Sequence, residues 1–276
     1  MQTIDERIVF FISDNTGITA ETLGHTLLSQ FQGLEYKQFT IPFVNTLEKA
    51  ETTVNQINQM AADFKTKPLI FTSIVNPDIE RMISTCNGKC FDMFKTFIPK
   101  MENELGIQSS KLVGHTHSMK NIQSYNSRIE AVNYALNCDD GVGLQNYSNA
   151  ELILIGVSRC GKTPTSIYLA LHYGLFIANY PLTEEDFPLT RLPRALQPHK
   201  DKLFGLTIHP QRLQHIRHQR RRNSHYASID QCQFEIIEIE KLFLRESITF
   251  VNTTNQSIEE ISASILDKTA LRRKSY

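Results

Sequence analysis

The stretch 152–170, "LILIGVSRCGKTPTSIYLA", constrains this chain more than any other. It is an apolar run, a turn bounded by glycines, and then a helical pattern. Between Gly156 and Thr163 it satisfies G-x-x-x-x-G-K-[ST] at every fixed position. Such a motif holds phosphate when a strand enters the turn and a helix leaves it, because N–H groups of the turn and helix start bind the oxygens. Both flanks fit. Gly156 and Gly161 permit backbone conformations and close approaches that a Cβ would obstruct. The nucleotide cradle is therefore read as Gly156, Val157, Ser158, Arg159, Cys160, Gly161, Lys162 and Thr163. Lys162 would reach the terminal phosphates and the Thr163 hydroxyl would sit on Mg²⁺. Pro164 falls just inside the helix start, where its missing N–H costs least. Arg159 is either a charge brought close to phosphate or a solvent-facing loop residue, and Cys160 reads as a small filler.

The remaining chain alternates strands and helices, which argues for largely parallel sheets. "RIVFFIS" (7–13) is a continuous apolar run of the kind buried on both faces. It gives way at "DNTG" to a helical pattern. "YKQFTIPF" and "PLIFTSIV" are further strands, with a helix between them and another opening at Pro77. From about Phe91 to Cys138 the pattern is mostly helical. The polar, aperiodic stretch 137–151, "NCDDGVGLQNYSNAE", reads as a domain boundary. The expected organisation is two α/β domains. Residues 1–148 form an N-terminal docking or regulatory domain, and 149–276 a P-loop kinase-like parallel sheet flanked by helices. Ser257 and Glu260 supply a capping box for the last helix.

Composition excludes several classes. Lys+Arg and Asp+Glu both total 29, so the formal net charge is zero and no global attraction to nucleic acid or anionic membrane exists. No stretch approaches the roughly 20 apolar residues of a membrane span. The start carries two acids and a short apolar run rather than a secretory signal. Five scattered cysteines read as reduced thiols, so a cytoplasmic protein is expected. Cys86 and Cys90 in "CNGKC" lack a second pair to complete a metal site.

Other candidates for chemistry are spread along the chain. "HPQRLQHIRHQRRRNSH" (209–225) holds five arginines, four histidines and no acid. It is either a lid closing on a transferring phosphate or a solvated basic face. Helical spacing would put Arg217, Arg220 and Arg221 together as phosphate-lid residues. Asp14, at the end of the first strand, is a candidate general base or a helix-capping aspartate. Asp139 and Asp140 are a candidate Mg²⁺ pair or a turn signal. His115 and His117 are either ligands or surface loop residues. A GTPase is excluded, since D-x-x-G at Asp14–Gly17 precedes the loop and N-K-x-D is absent.

The strings "LILIGVSRCGKTPTSIYLA", "ANYPL", "KLFGLTI" with "RLQHIR", "NSHYAS", "FFISDNTGITAETLGH", "IPFV" and "RIEAVNYALNCDDG" closely resemble bacterial phosphoenolpyruvate synthase regulatory proteins, grouped with the pyruvate, phosphate dikinase regulatory proteins. The likeness covers nearly the whole chain. It implies a bifunctional enzyme acting on phosphoenolpyruvate synthase. One activity phosphorylates a target threonine with ADP as donor and inactivates the synthase. The other removes that phosphate with inorganic phosphate as acceptor, forming pyrophosphate. A homodimer would match a dimeric target. Two rival functions stand beside it: a P-loop kinase of a small metabolite, and a non-catalytic nucleotide-sensing module. An additional α/β domain suits a protein substrate better than a small one.

Overall fold

The computed structural model describes residues 7–113, 122–183, 186–187, 191–222 and 224–272. The chain forms two compact units, Met1–Ser118 and Met119–Tyr276. Each is an α/β unit built on a four-stranded parallel sheet, in line with the fold class read from sequence. No helix of the described residues is long and apolar enough to cross a membrane.

In the first unit the order is β1 (Arg7–Ser13), α1 (Ile18–Leu28), β2 (Tyr36–Ile41), α2 (Leu47–Asp63), β3 (Leu69–Ser73), α3 (Pro77–Ile83), β4 (Lys89–Asp92) and α4 (Met93–Leu105). The strands lie in the order β2-β1-β3-β4, each parallel to its neighbours. β1 shows why "RIVFFIS" is apolar throughout. Ile8, Phe10 and Ile12 pack with Ala50 and Ile57 of α2 and Ile79 and Ile83 of α3. Val9 and Phe11 pack with Ala20 and Leu28 of α1 and Met93 of α4. Successive side chains thus meet helices on opposite faces. β4 departs from the expected helical run beginning near Phe91. It is four residues long and alternates exposed with half-buried positions, so it carries no apolar signature.

The second unit runs α5 (Ile122–Asn137), β5 (Leu152–Val157), α6 (Lys162–Tyr173), β6 (Ile177–Leu182), β7 (Leu203–Thr207), α7 (Pro210–Arg220), α8 (Ile229–Glu246), β8 (Phe250–Asn252) and α9 (Ile258–Lys268). Its parallel sheet has the order β6-β5-β7-β8, the same second-first-third-fourth pattern as the first unit. The Ser257–Glu260 capping box is formed at α9.

The division of the chain falls before α5, not within 137–151. Helix α5 packs on α6 and β6. Ala131 and Ala135 are buried with Ala170, and the Tyr134 ring stacks on Phe176 at 5.0 Å between centroids. The polar stretch after α5 is not a linker. Asn179 of β6 holds it: the Asp140 N–H donates to Asn179 Oδ1 at 2.9 Å and the Gly141 N–H to the Asn179 carbonyl at 3.1 Å. The fully buried Tyr147 donates its hydroxyl to the same carbonyl at 2.7 Å. Its polarity reflects backbone bonded locally, which composition cannot distinguish from a solvated connection. A fragment spanning 119–276 is therefore expected to unfold cooperatively in a circular-dichroism melt. A fragment spanning 149–276, stripped of α5, is expected to lose that transition or aggregate.

Candidate functional site

The site of the second unit begins where β5 ends. All six residues of β5 are buried, so the strand enters the loop as a rigid stem. At Gly156 the chain runs against β7: an added Cβ would lie 2.3 Å from the Leu206 carbonyl oxygen and 2.8 Å from Cys160 Sγ. Only glycine fits that approach. The loop then turns through Arg159 at φ 78° and Gly161 at φ 98°, both left-handed. Gly161 is the N-cap of α6, and no side chain caps the helix among the described residues. The first N–H groups of α6 are thus left to meet an anion, in the arrangement the motif predicts.

Lys162 is 4% exposed, and its Nζ donates to the Val157 carbonyl at 2.9 Å across the loop. Thr163 Oγ1 donates to Asp139 Oδ1 at 2.8 Å, with Oδ2 at 3.2 Å. Asp139 comes from the turn after α5. Asn179 holds it in place by donating from its side-chain amide to the same Oδ1. Asp139, Asp140, Arg159, Lys162, Thr163 and Arg220 share one cavity of about 480 Å³. That volume suits a nucleotide's phosphates and part of its sugar. The Asp139 carboxylate beside the Thr163 hydroxyl forms a pair of hard oxygen donors. Mg²⁺ commonly takes one or two such protein ligands and keeps several waters, so the residues fit that ion. Asp139 and Asp140 lie in the turn after α5 and both line this cavity, but among the described residues only Asp139 meets Thr163.

Cys160 is buried, and its burial pushes the thiol pKa up despite the opposing influence of Lys162. It stays a neutral thiol and fills space under the loop. Its carbonyl accepts from Thr253 Oγ1 at 3.0 Å, tying the loop to the end of β8.

The basic segment divides in a way helical spacing does not predict. Arg217 is 1% exposed and belongs to no lid. Its guanidinium donates to Glu235 Oε2 at 2.6 Å and Oε1 at 3.0 Å, to the Tyr226 carbonyl at 2.9 Å, and to the Ser158 carbonyl at 3.3 Å. It also lies 4.0 Å from the Tyr226 ring centroid. Burial disfavours its charge, but Glu235 more than compensates and pushes the pKa up. Arg217 is a strut joining α7, α8 and the P-loop. Arg220 alone of the three expected lid residues lines the cavity. α7 ends there, and Arg221 leaves the helix at φ −139° to lie exposed, so the anticipated common face does not form.

Several contributors escaped sequence reasoning. Asn179 sits in "ANYPL" and Tyr226 in "NSHYAS", strings that carry the family resemblance without assigning either residue a role. Tyr226 donates its hydroxyl to Ser158 Oγ at 3.0 Å, a second brace on the loop. Glu235 hides in an amphipathic helix where an acid looks solvent-facing. Asp14 lies in the first unit at the end of β1, where its Oδ2 accepts the Val75 N–H at 2.6 Å. It does not cap α1, whose N-cap is Gly17. Cys86 and Cys90 lie with Sγ atoms 3.8 Å apart, and no group of three potential metal ligands occurs among the described residues. His115 and His117 lie outside those residues.

The model of a family described as kinase/pyrophosphorylase matches residues 9–266. A Legionella pneumophila (strain Corby) protein is 50% identical over 98% of this chain and 99% of its own length. Relatives from Ectopseudomonas mendocina and Pseudomonas aeruginosa (strain LESB58) are 51% and 52% identical over 98% of the chain and 99% and 98% of their own lengths. All three are named, provisionally, phosphoenolpyruvate synthase regulatory protein.

The contrast between the two arginines is measurable. Arg217→Ala leaves Glu235 buried without its partner and is expected to cost about 3–5 kcal/mol in urea unfolding. Arg220→Ala should stay within about 0.5 kcal/mol of the parent while weakening nucleotide binding by calorimetry.

Proposed function

Because the chain belongs to the kinase/pyrophosphorylase family, we propose that it is a bifunctional regulator of phosphoenolpyruvate synthase. In one direction it transfers the β-phosphoryl group of ADP to a threonine of the synthase. In the other it moves that phosphoryl group to inorganic phosphate. The observation that carries the reading is the Thr163–Asp139 pair beside an open helix start and a buried lysine. The names of the relatives supply the target, and the resemblance of the sequence strings supplies donor and acceptor.

In the forward step the threonine hydroxyl oxygen attacks the β-phosphorus. The bond from that phosphorus to the bridging oxygen breaks, and AMP leaves with the electron pair. In the return step an oxygen of inorganic phosphate attacks the phosphothreonine phosphorus. The bond to the threonine oxygen breaks, pyrophosphate forms, and the threonine regains its proton. Phosphoryl transfer asks the protein for positioning and charge neutralisation rather than covalent help. The N–H groups at the start of α6 hold the diphosphate. Lys162 exchanges the Val157 carbonyl for the transferring group, and Arg220 faces it from α7. Thr163 and Asp139 would hold Mg²⁺, which neutralises charge on the phosphate oxygens when bound. Asn179 keeps Asp139 turned toward Thr163. Asp140 lines the same cavity, and among the described residues its carboxylate has no hydrogen bond. It is the candidate acceptor of the threonine proton, the role considered for Asp14 on sequence alone.

The test is label transfer to purified phosphoenolpyruvate synthase from β-labelled ADP and γ-labelled ATP, with the synthase catalytic histidine both charged and uncharged. Label on threonine from ADP alone is expected. Lys162→Met should abolish it. Asp140→Asn should lower kcat by about 100- to 10,000-fold with nucleotide affinity unchanged. Tight nucleotide binding without transfer would sink the proposal in favour of a sensor, and transfer to a small acceptor would favour a metabolite kinase.

A further inference from the structure

The first unit holds a pair of side chains whose chemistry phosphoryl transfer does not use. Cys86 and Cys90 face each other with Sγ atoms 3.8 Å apart, within hydrogen-bond reach. Cys138, Cys160 and Cys232 belong to the second unit, and among the described residues none of them bonds to another thiol.

Backbone anchors build this meeting of thiols. The segment 86–90, "CNGKC", joins α3 to β4. The Cys86 N–H donates to the Ile83 carbonyl at 3.2 Å, tying one end to the last turn of α3. The Asn87 N–H donates to Asn58 Oδ1 of α2 at 2.6 Å. Gly88 runs so close to β3 that an added Cβ would lie 2.4 Å from Ile70 Cδ1 and 3.1 Å from the Pro68 carbonyl oxygen. The Lys89 N–H donates to that carbonyl at 2.8 Å, and Cys90 pairs with Ile70 across the sheet. Every residue of the turn is therefore held, and the two sulfurs are held with it.

The sulfurs are unequal. The Cys90 thiol, with the N–H groups of Gly88 and of Cys86 itself, lowers the Cys86 pKa against the opposing effect of burial. For Cys90, the bond to Cys86, burial, and the Glu80 and Asp92 carboxylates all push the pKa up. A thiol biased toward thiolate beside a protonated neighbour is the arrangement of a dithiol that oxidises in two steps. No group of three potential metal ligands occurs among the described residues, so sulfur–sulfur chemistry is what the pair offers.

We propose that Cys86 and Cys90 form a reversible dithiol–disulfide site whose oxidant is hydrogen peroxide. A small oxidant suits the site because Cys86 is only 7% exposed. The Cys86 thiolate attacks one peroxide oxygen and the O–O bond breaks. Cys86 becomes a sulfenic acid, and the departing hydroxide takes up a proton as water. The Cys90 sulfur then attacks Cys86 Sγ. The S–O bond breaks, the S–S bond forms, and a second water leaves with the Cys90 proton. Two thiols thus lose two electrons and two protons, and peroxide is reduced to two waters. Reduction enters at the half-buried Cys90, where an external thiolate attacks and Cys86 leaves as the better leaving group. The disulfide ties the end of α3 to β4, the edge strand whose Asp92 caps α4 by accepting the Lys95 N–H at 2.8 Å. The proposal rests on no part of the transfer reaction, and either can fail without the other.

The experiment treats the full chain, reduced and freed of reductant, with a slight molar excess of hydrogen peroxide. Two of its five thiols should become unreactive to alkylation, with the loss of two hydrogens in mass. Trypsin cuts after Lys89, between the cysteines, so the product should appear as two joined peptides that dithiothreitol separates. Cys90→Ser keeps a hydroxyl to donate to Cys86 and should halt the reaction at a Cys86 sulfenic acid, which dimedone traps. Cys86→Ser should leave Cys90 reacting at least about tenfold more slowly than Cys86 does in Cys90→Ser, the effect of about one pKa unit in thiolate fraction. The joined peptides are read on the unaltered chain, so the result does not depend on a variant folding. Absence of the Cys86–Cys90 product, its formation only after unfolding in urea, or equal rates in the two variants would overturn the proposal.

Discussion

A helix start with no side-chain cap is the constraint around which the second unit is organised. The first turn of any α-helix leaves N–H groups unbonded, and a serine, threonine or aspartate at the N-cap ordinarily meets one of them. Helix α6 has Gly161 there instead, in a left-handed conformation that a side chain would resist. What the helix gives up in capping leaves its first N–H groups open, as the anion receptor that the proposed function requires. The neighbouring features serve that receptor. Gly156 lets the loop run against the Leu206 carbonyl, Lys162 adds a buried positive charge, and Asn179 holds Asp139 against the Thr163 hydroxyl.

A loop that binds phosphate through backbone must itself be held still, since a shift of about an ångström is enough to lose transfer geometry. Arg217 and Tyr226 provide that hold from one side and Thr253 from the other. The Arg217–Glu235 pair illustrates why a buried ion pair should be judged by what its loss does. Its net contribution relative to an apolar pair is small or uncertain in sign, yet removing one partner strands the other in low dielectric. Arg217 also donates to two backbone carbonyls, of Tyr226 and Ser158. The strut therefore couples the integrity of the α7–α8 pair to the shape of the phosphate loop. Arg220, one turn further along the same helix, is presented to the cavity by it.

The most legible parts of the sequence were those that rest on local chemistry. The apolar run of β1, the glycine pair of the loop, Pro77 at a helix start and the Ser257–Glu260 box each state their structure in a few residues. What stayed hidden depends on distant partners. Arg217 looks like its neighbours in an arginine run, and only the approach of Glu235, eighteen positions on, makes it a core residue. Asp139 reads as half of a turn signal because the side chain that orients it, Asn179, lies on a strand forty residues away. The misplaced boundary has the same origin. A polar segment is a linker or a tightly bonded turn according to what it meets, and Tyr147 and Asn179 make it the latter. β4 is short and half exposed, so it becomes a strand only by pairing with β3.

The two units show one backbone solution carrying different side-chain chemistry. Both set a left-handed glycine and an uncapped helix at the switch point of a parallel sheet in the same order. In the second unit the residue after that glycine is Lys162, followed by a hydroxyl beside a carboxylate, a set suited to a fully ionised diphosphate with a divalent cation. In the first unit the corresponding positions are Ile18 and Thr19, and a buried carboxylate, Asp14, stands at the strand end instead. A negative group there would repel a diphosphate brought close to it. The fold thus repeats one backbone frame, and the charge of a few side chains sets what each copy can meet.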